Sequence, residues 1–148
     1  EAHDPSLLGV VADWRARFTP ERLPITLVRG NHDRRAGDPP ACWSMRCVDE
    51  GERLGPLVLL HDPALAPRAD LQDHEYALAG HIHPAVVLEG AGRSERAACF
   101  WFSKRVGVLP AFGTFTGGAR VNPRVGDRVF AVGPRSVVEV EGRVARAG

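Results

Sequence analysis

Apolar positions along this chain follow two regimes. Near the start, Leu7, Leu8, Val11, Trp14 and Phe18 recur at helical spacing. Asp4 is suited to cap that helix, and Pro5 to open it, because a first-turn proline gives up an N–H that has no partner there. Thr19-Pro20 is expected to end it, since proline disfavours helical geometry in the residue before it. Beyond that point the apolar runs are short and strand-like: 25–28, 43–48, 57–60 and 76–79, then 85–88, 97–102, 106–109, 129–132 and 137–140. Residues 34–40 contain Gly37, Pro39 and Pro40 and are expected to form a loop. The pattern predicts a mixed α/β layer structure, mostly β in its second half, as a single domain over 1–148.

Composition sharpens this only in places. At 148 residues, 44% hydrophobic and 25% charged, the chain has apolar material for a core. Its apolar runs stop far short of the ~20 residues of a membrane span, so no membrane partner is expected. The 16 glycines and 12 prolines, in a chain without repeats, point to many tight turns. A net charge of +1 gives no global electrostatic case for nucleic acid. All but one of the 19 basic residues are arginine, Lys104 being the exception. That reads either as a compositional bias or as a supply of guanidinium forks for phosphate. Cys42, Cys47 and Cys99 are odd in number and lack a CxxC spacing, which argues against a disulfide framework and a zinc knuckle and for a reducing, cytoplasmic setting. No signal peptide is visible, and because the only methionine is Met45 and the chain opens with Glu1, an upstream segment is expected.

The chemistry lies at the ends of three apolar runs. The first is followed by Asn31 and His32, the second by His61, and the third by His81 and His83. In open α/β sheets ligands bind beyond the carboxyl ends of the strands, so three such ends are expected to meet at one crevice. Gly30 and Gly80 are expected to let the backbone turn sharply there. Imidazole and amide oxygen suit Mn²⁺, Fe or Zn²⁺, and two metals about 3.5–4 Å apart can clamp a phosphate and activate water. A lone histidine at a strand end is ordinarily structural; Gly-Asn-His-Asp and Gly-His-x-His together, each after a strand, point to a metal site.

These residues carry a resemblance. Gly30-Asn31-His32-Asp33, His61 and Gly80-His81-Ile82-His83 resemble the third, fourth and fifth motifs of the calcineurin-like metallophosphoesterases, in order and spacing. Within that superfamily, residues 108–118, the Gly-Asp-Arg-Val-Phe run at 126–130 and the Val-Val-Glu-Val ending at 140 are similar to the bacterial ligase-associated DNA damage response endonucleases. The resemblance implies an α/β sandwich of two mixed sheets flanked by helices. It also implies a phosphodiesterase or DNA endonuclease that works through a hydroxide activated by two divalent metals, Mn²⁺ first, with Fe or Zn²⁺ as alternatives. DNA is the implied substrate, and a DNA ligase and a helicase of the same repair system are implied partners. Asn31, His61 and His81 would bind one metal and His83 the other. His32 would be the general acid, with Asp33 orienting its ring. Arg34 or Arg35 would hold a phosphate, and Asp62 would be a neighbour of the ligands and not a ligand itself.

The chain also departs from the superfamily. The Asp-x-His of the first strand and the Gly-Asp of the second are absent; Gly37-Asp38 and Gly126-Asp127 stand in other places, and His3 lies just past where the second motif should end. The expectation is an N-terminally truncated sandwich that binds at most one metal well and is inactive alone, because without a bridging carboxylate two dications repel, and that is poorly folded, because two central strands would be missing from its sheet. Two other readings stand beside the DNA endonuclease: a metallophosphatase for small nucleotides or phosphomonoesters, and a catalytically inactive binding fragment. Phe100, Trp101, Phe102 and Arg105, or Phe112 and Phe115, are candidates for a groove that takes bases, or else core residues.

Overall fold

The computed structural model describes residues 4–18, 23–90, 92–113 and 116–140. The expected helix stop at Thr19-Pro20, His3, and Thr114 and Phe115 of the 108–118 stretch lie outside them. The chain divides into two compact units, Glu1–Glu52 and Arg53–Gly148.

The first unit opens with helix α1 (Pro5–Ala16). Asp4 caps it as expected, its Oδ1 accepting from the Ser6 amide at 2.8 Å and the Ser6 hydroxyl at 2.7 Å. What the helix buries was not expected. Leu7, Val10 and Trp14 are exposed, and the one buried residue of the helix is Arg15, 4% exposed. Its guanidinium donates to the carbonyls of Trp43 at 3.1 Å and Phe18 at 3.0 Å. Neither carbonyl belongs to a strand, and a planar fork with several donors bonds both. Strand β1 (Ile25–Val28) follows, then the one-turn helix α2 (Asp33–Ala36), a 3-10 turn at Ala41–Trp43 and strand β2 (Met45–Val48). β1 and β2 pair in parallel, from Ile25↔Met45 to Val28↔Val48. The expected loop thus begins with a helical turn, and Trp43, expected in the strand, sits in the turn before it.

The second unit is a mixed sheet. Its strands are β3 (Glu52–Leu54), which starts at the boundary, β4 (Leu57–Leu59), β5 (Tyr76–Ala79), β6 (Pro84–Gly90), β7 (Arg93–Phe102), β8 (Val106–Val108), β9 (Ala119–Arg120), β10 (Arg128–Val132) and β11 (Val137–Glu139). A 3-10 helix, Pro63–Arg68, joins β4 to β5. The main path runs β11-β10-β7-β8-β5-β4-β3, with β6 on β7 and β9 on β6. β4, β5 and β8 are parallel neighbours. β7 is long enough to serve twice: residues 93–98 pair with β6 and residues 99–102 with β10, both antiparallel. Its side chains alternate accordingly. Cys99 and Trp101 join the cluster of Val86, Val121, Val129 and Ala131, while Phe100 and Phe102 stack at 6.2 Å. A second cluster, Val58, Leu60, Ala66, Ala77 and Ala79, fixes the central parallel strands and the 3-10 helix. Among the described residues, no helix is long and apolar enough to cross a membrane.

Candidate metal centre

β4 and β5 lie side by side in parallel, so the residues that leave their carboxyl ends are neighbours. The amide of Leu60 donates to the Leu78 carbonyl at 2.8 Å and that of Gly80 to the His61 carbonyl at 3.1 Å. The chain therefore stays in register as far as His61 and Gly80, and the His61 and His81 rings meet with centroids 4.5 Å apart, tilted by 57°. No hydrophobic patterning requires two imidazoles to touch there. Neutral imidazoles at this separation present nitrogen lone pairs suited to Mn²⁺, Fe or Zn²⁺.

The turn after β5 is strained, and not where the glycine was expected to serve. Neither Gly80 nor Gly30 has a positive φ; His81 (φ 54°) and His83 (φ 50°) do. A β-carbon on Gly80 would meet open space. Left-handed backbone at a non-glycine residue costs on the order of 1–3 kcal/mol, and it persists only where the surroundings hold it. Here a tight bond from the Ile82 amide to the Gly80 carbonyl, 2.7 Å, closes the turn on one side. On the other, the Ala119 amide donates to the Ile82 and His83 carbonyls at 3.0 and 3.1 Å. Gly118 is the residue this approach needs: a β-carbon there would lie 2.7 Å from the His83 carbonyl oxygen. The His83 ring is oriented by the same segment, with Nδ1 3.2 Å from the Gly117 carbonyl. A carbonyl only accepts, so Nδ1 carries a proton, and in the neutral tautomer that this selects Nε2 is the nitrogen with a lone pair for another partner. The contacts of Gly117 and Gly118 with His83 were not legible in the sequence, where the two glycines stood only within the 108–118 resemblance.

Asp62 follows His61, and its Oδ1 accepts from the Ala64 amide at 2.8 Å, capping the 3-10 helix that Pro63 opens. This gives Asp62 a structural role at the start of that helix.

Asn31, His32 and Asp33 belong to the first unit. Arg29 anchors their turn with Nε and Nη2 both 2.6 Å from the Asp38 carboxylate and Nη1 3.3 Å from Asp49. These bonds hold the Asp38 carboxyl below its ordinary range. Asn31 and His32 are exposed. Asp33 Oδ2 accepts from the Gly30 amide at 2.9 Å, so that oxygen closes the turn that carries His32. Arg34 Nη2 donates to Glu50 at 3.0 Å, whereas Arg35 is exposed. Of the expected residues, then, the structure brings His61 and His81 together, sets His83 two residues further on, and holds Asn31 to Asp33 in one turn of the other unit.

The donors described fit the edge of a metal site without completing one. Among the described residues no three or more His, Cys, Asp or Glu side chains are grouped to hold an ion, and a transition-metal ion takes about four ligands or more.

No protein-family model matches this chain, and no curated protein does. Among solved structures it is similar to one titled "Crystal structure of Pseudomonas putida nuclease MPE", with 40% sequence identity and a TM-score of 0.73. The match covers 92% of this chain and 62% of that one, so this chain spans somewhat less than two thirds of that protein.

Proposed function

We propose that this chain carries the histidine-rich part of a metal-dependent nuclease of the calcineurin-like sandwich type, which hydrolyses phosphodiester bonds in DNA. The observation that carries this reading is the 40% identity with the Pseudomonas putida nuclease over 92% of this chain. The contact between His61 and His81 supports it, since two imidazoles held together, the second on strained backbone, suit a cation better than they suit a core. The repair setting and the ligase and helicase partners rest on the resemblance of residues 108–118, 126–130 and the run ending at 140.

Divalent ions, Mn²⁺ first, would polarise the scissile phosphate and lower the pKa of water when bound. His61 and His81 would hold one such ion from adjacent strand ends, and the resemblance adds Asn31 to it and gives His83 to the second. His83 arrives with Nδ1–H engaged by Gly117, which leaves Nε2 as the donor atom. His32, exposed after β1, would give its proton to the leaving oxygen. Asp33, tied to the Gly30 amide, holds the turn that aims it. Arg35 is better placed than Arg34 to meet a phosphate, because Arg34 is engaged by Glu50.

The test is cleavage by the protein as its gene encodes it, supplied with Mn²⁺ and offered single-stranded DNA, duplex DNA and nucleoside monophosphates. DNA should be cut, and His81→Ala should lower the rate about hundredfold or more. Turnover of monoesters alone, or DNA cutting that persists in EDTA, would overturn the assignment.

A further inference from the structure

The second unit contains a cleft of about 1010 Å³, lined among others by Ile82, Trp101, Lys104, Arg105, Arg120 and Arg124. Ile82 stands between His81 and His83, so the cleft reaches the strained turn of the candidate metal centre. Four of these residues are cations, and the carboxylates that also line the cleft are two, Asp70 and Asp127. Asp127 is committed: its Oδ2 accepts from the Trp101 ring N–H at 2.9 Å and from the Arg124 amide at 2.8 Å. One carboxylate thus fixes the indole in its plane and holds the turn that presents Arg124. Arg105 is similarly anchored, with Nη2 donating to the Leu71 carbonyl at 2.6 Å. It stands beside Lys104 in the turn between β7 and β8.

A fixed aromatic ring among cations, in a cleft about as large as small-molecule sites become, suits one chemistry well. Bases stack on aromatic faces whatever their identity, and the flanking phosphates seek arginine and lysine. Stacked duplex bases offer no free face, so the ligand must be unpaired. We propose that this cleft binds a single-stranded DNA segment, with a base on Trp101 and its phosphates against Lys104, Arg105, Arg120 and Arg124. The choice of DNA rests on the nuclease reading; the cleft itself does not. A strand seated in this way leads along Ile82 to the histidine turn, which makes the cleft a feeder to the site of cleavage.

The experiment is fluorescence anisotropy with the full chain, in EDTA so that nothing is cut, using a short labelled oligothymidylate. Lys104→Ala with Arg124→Ala should weaken binding and make the slope of log K against log salt shallower by about 1.4, from about 0.7 per cation removed. Trp101→Leu should weaken binding about tenfold. Because that substitution touches packed residues, the unaltered protein is also given an abasic oligomer of the same length, which should bind about tenfold more weakly than oligothymidylate. Equal affinity for the abasic oligomer, an unchanged salt slope in the double variant, or equal affinity for a blunt duplex would overturn the proposal. If the protein binds in this way and never cuts DNA, the nuclease reading fails and the cleft stands. If it cuts DNA and the anisotropy ignores these substitutions, the cleft fails and the nuclease reading stands.

Discussion

His81 and His83 hold backbone conformations that glycine would adopt without strain, at φ 54° and 50°. A protein selected only for stability would place glycine or asparagine there. The neighbouring Gly80, which has open space around it and no positive φ, does not relieve this strain. We therefore expect His81→Gly to be more stable than His81→Ala by about 1 kcal/mol, the reverse of the usual order, with both losing affinity for Mn²⁺. Urea unfolding of the two variants decides it: an alanine variant as stable as the glycine one would show that the turn stores no strain. The residue types of the site were plain in the sequence, as Gly-Asn-His-Asp and Gly-His-x-His. The strain was not, because φ is set by the bonds from Ala119 and the close approach of Gly118, some 35 residues downstream.

The elements were legible in proportion to how much apolar pattern they carry. Helix α1, with its Asp4 cap and Pro5, and the apolar strands β1, β5 and β10 emerge close to where the periodicity puts them. β3 and β9 do not, since Glu52–Leu54 has two charged residues of three and Ala119–Arg120 has only two residues. Each exists because a neighbouring strand supplies its partners. β3 is tied to the turn before β5 by Arg53, whose Nε lies 2.7 Å from Glu75 Oε1, while Glu75 Oε2 accepts from the Gln72 amide at 2.9 Å. The Arg53 guanidinium first, and the Gln72 amide next, hold the Glu75 carboxyl below its ordinary range. A depressed acid contributes stability that is complete above its ordinary pKa and is lost as pH falls through the depressed value. The melting temperature should accordingly drop from about pH 5 downward. Glu75→Gln should melt lower at neutral pH and show a flatter acid limb. Parallel pH profiles for the two proteins would remove the pair from any account of acid sensitivity.

At the scale of the molecule, the chain is two compact units, and the histidine pair belongs wholly to the second. Two imidazoles without a third grouped His, Cys, Asp or Glu among the described residues make a weak site. Isothermal titration of this chain with Mn²⁺ should show at most one ion bound, lost in His61→Ala; two tight ions per chain would mean that the donor set is fuller than the pair. The sequence by itself determined the mixed α/β character, most strand positions and the identity of the candidate ligands, because these follow from local periodicity, caps and residue chemistry. Which strands are neighbours, that the His61 and His81 rings touch, that Asp62 and Asp127 are committed to the Ala64 amide and the Trp101 ring, and that the backbone strain falls on histidine were decided only by the tertiary structure. Each of these depends on groups far apart in the chain, and a local pattern holds no information about where a distant segment comes to rest.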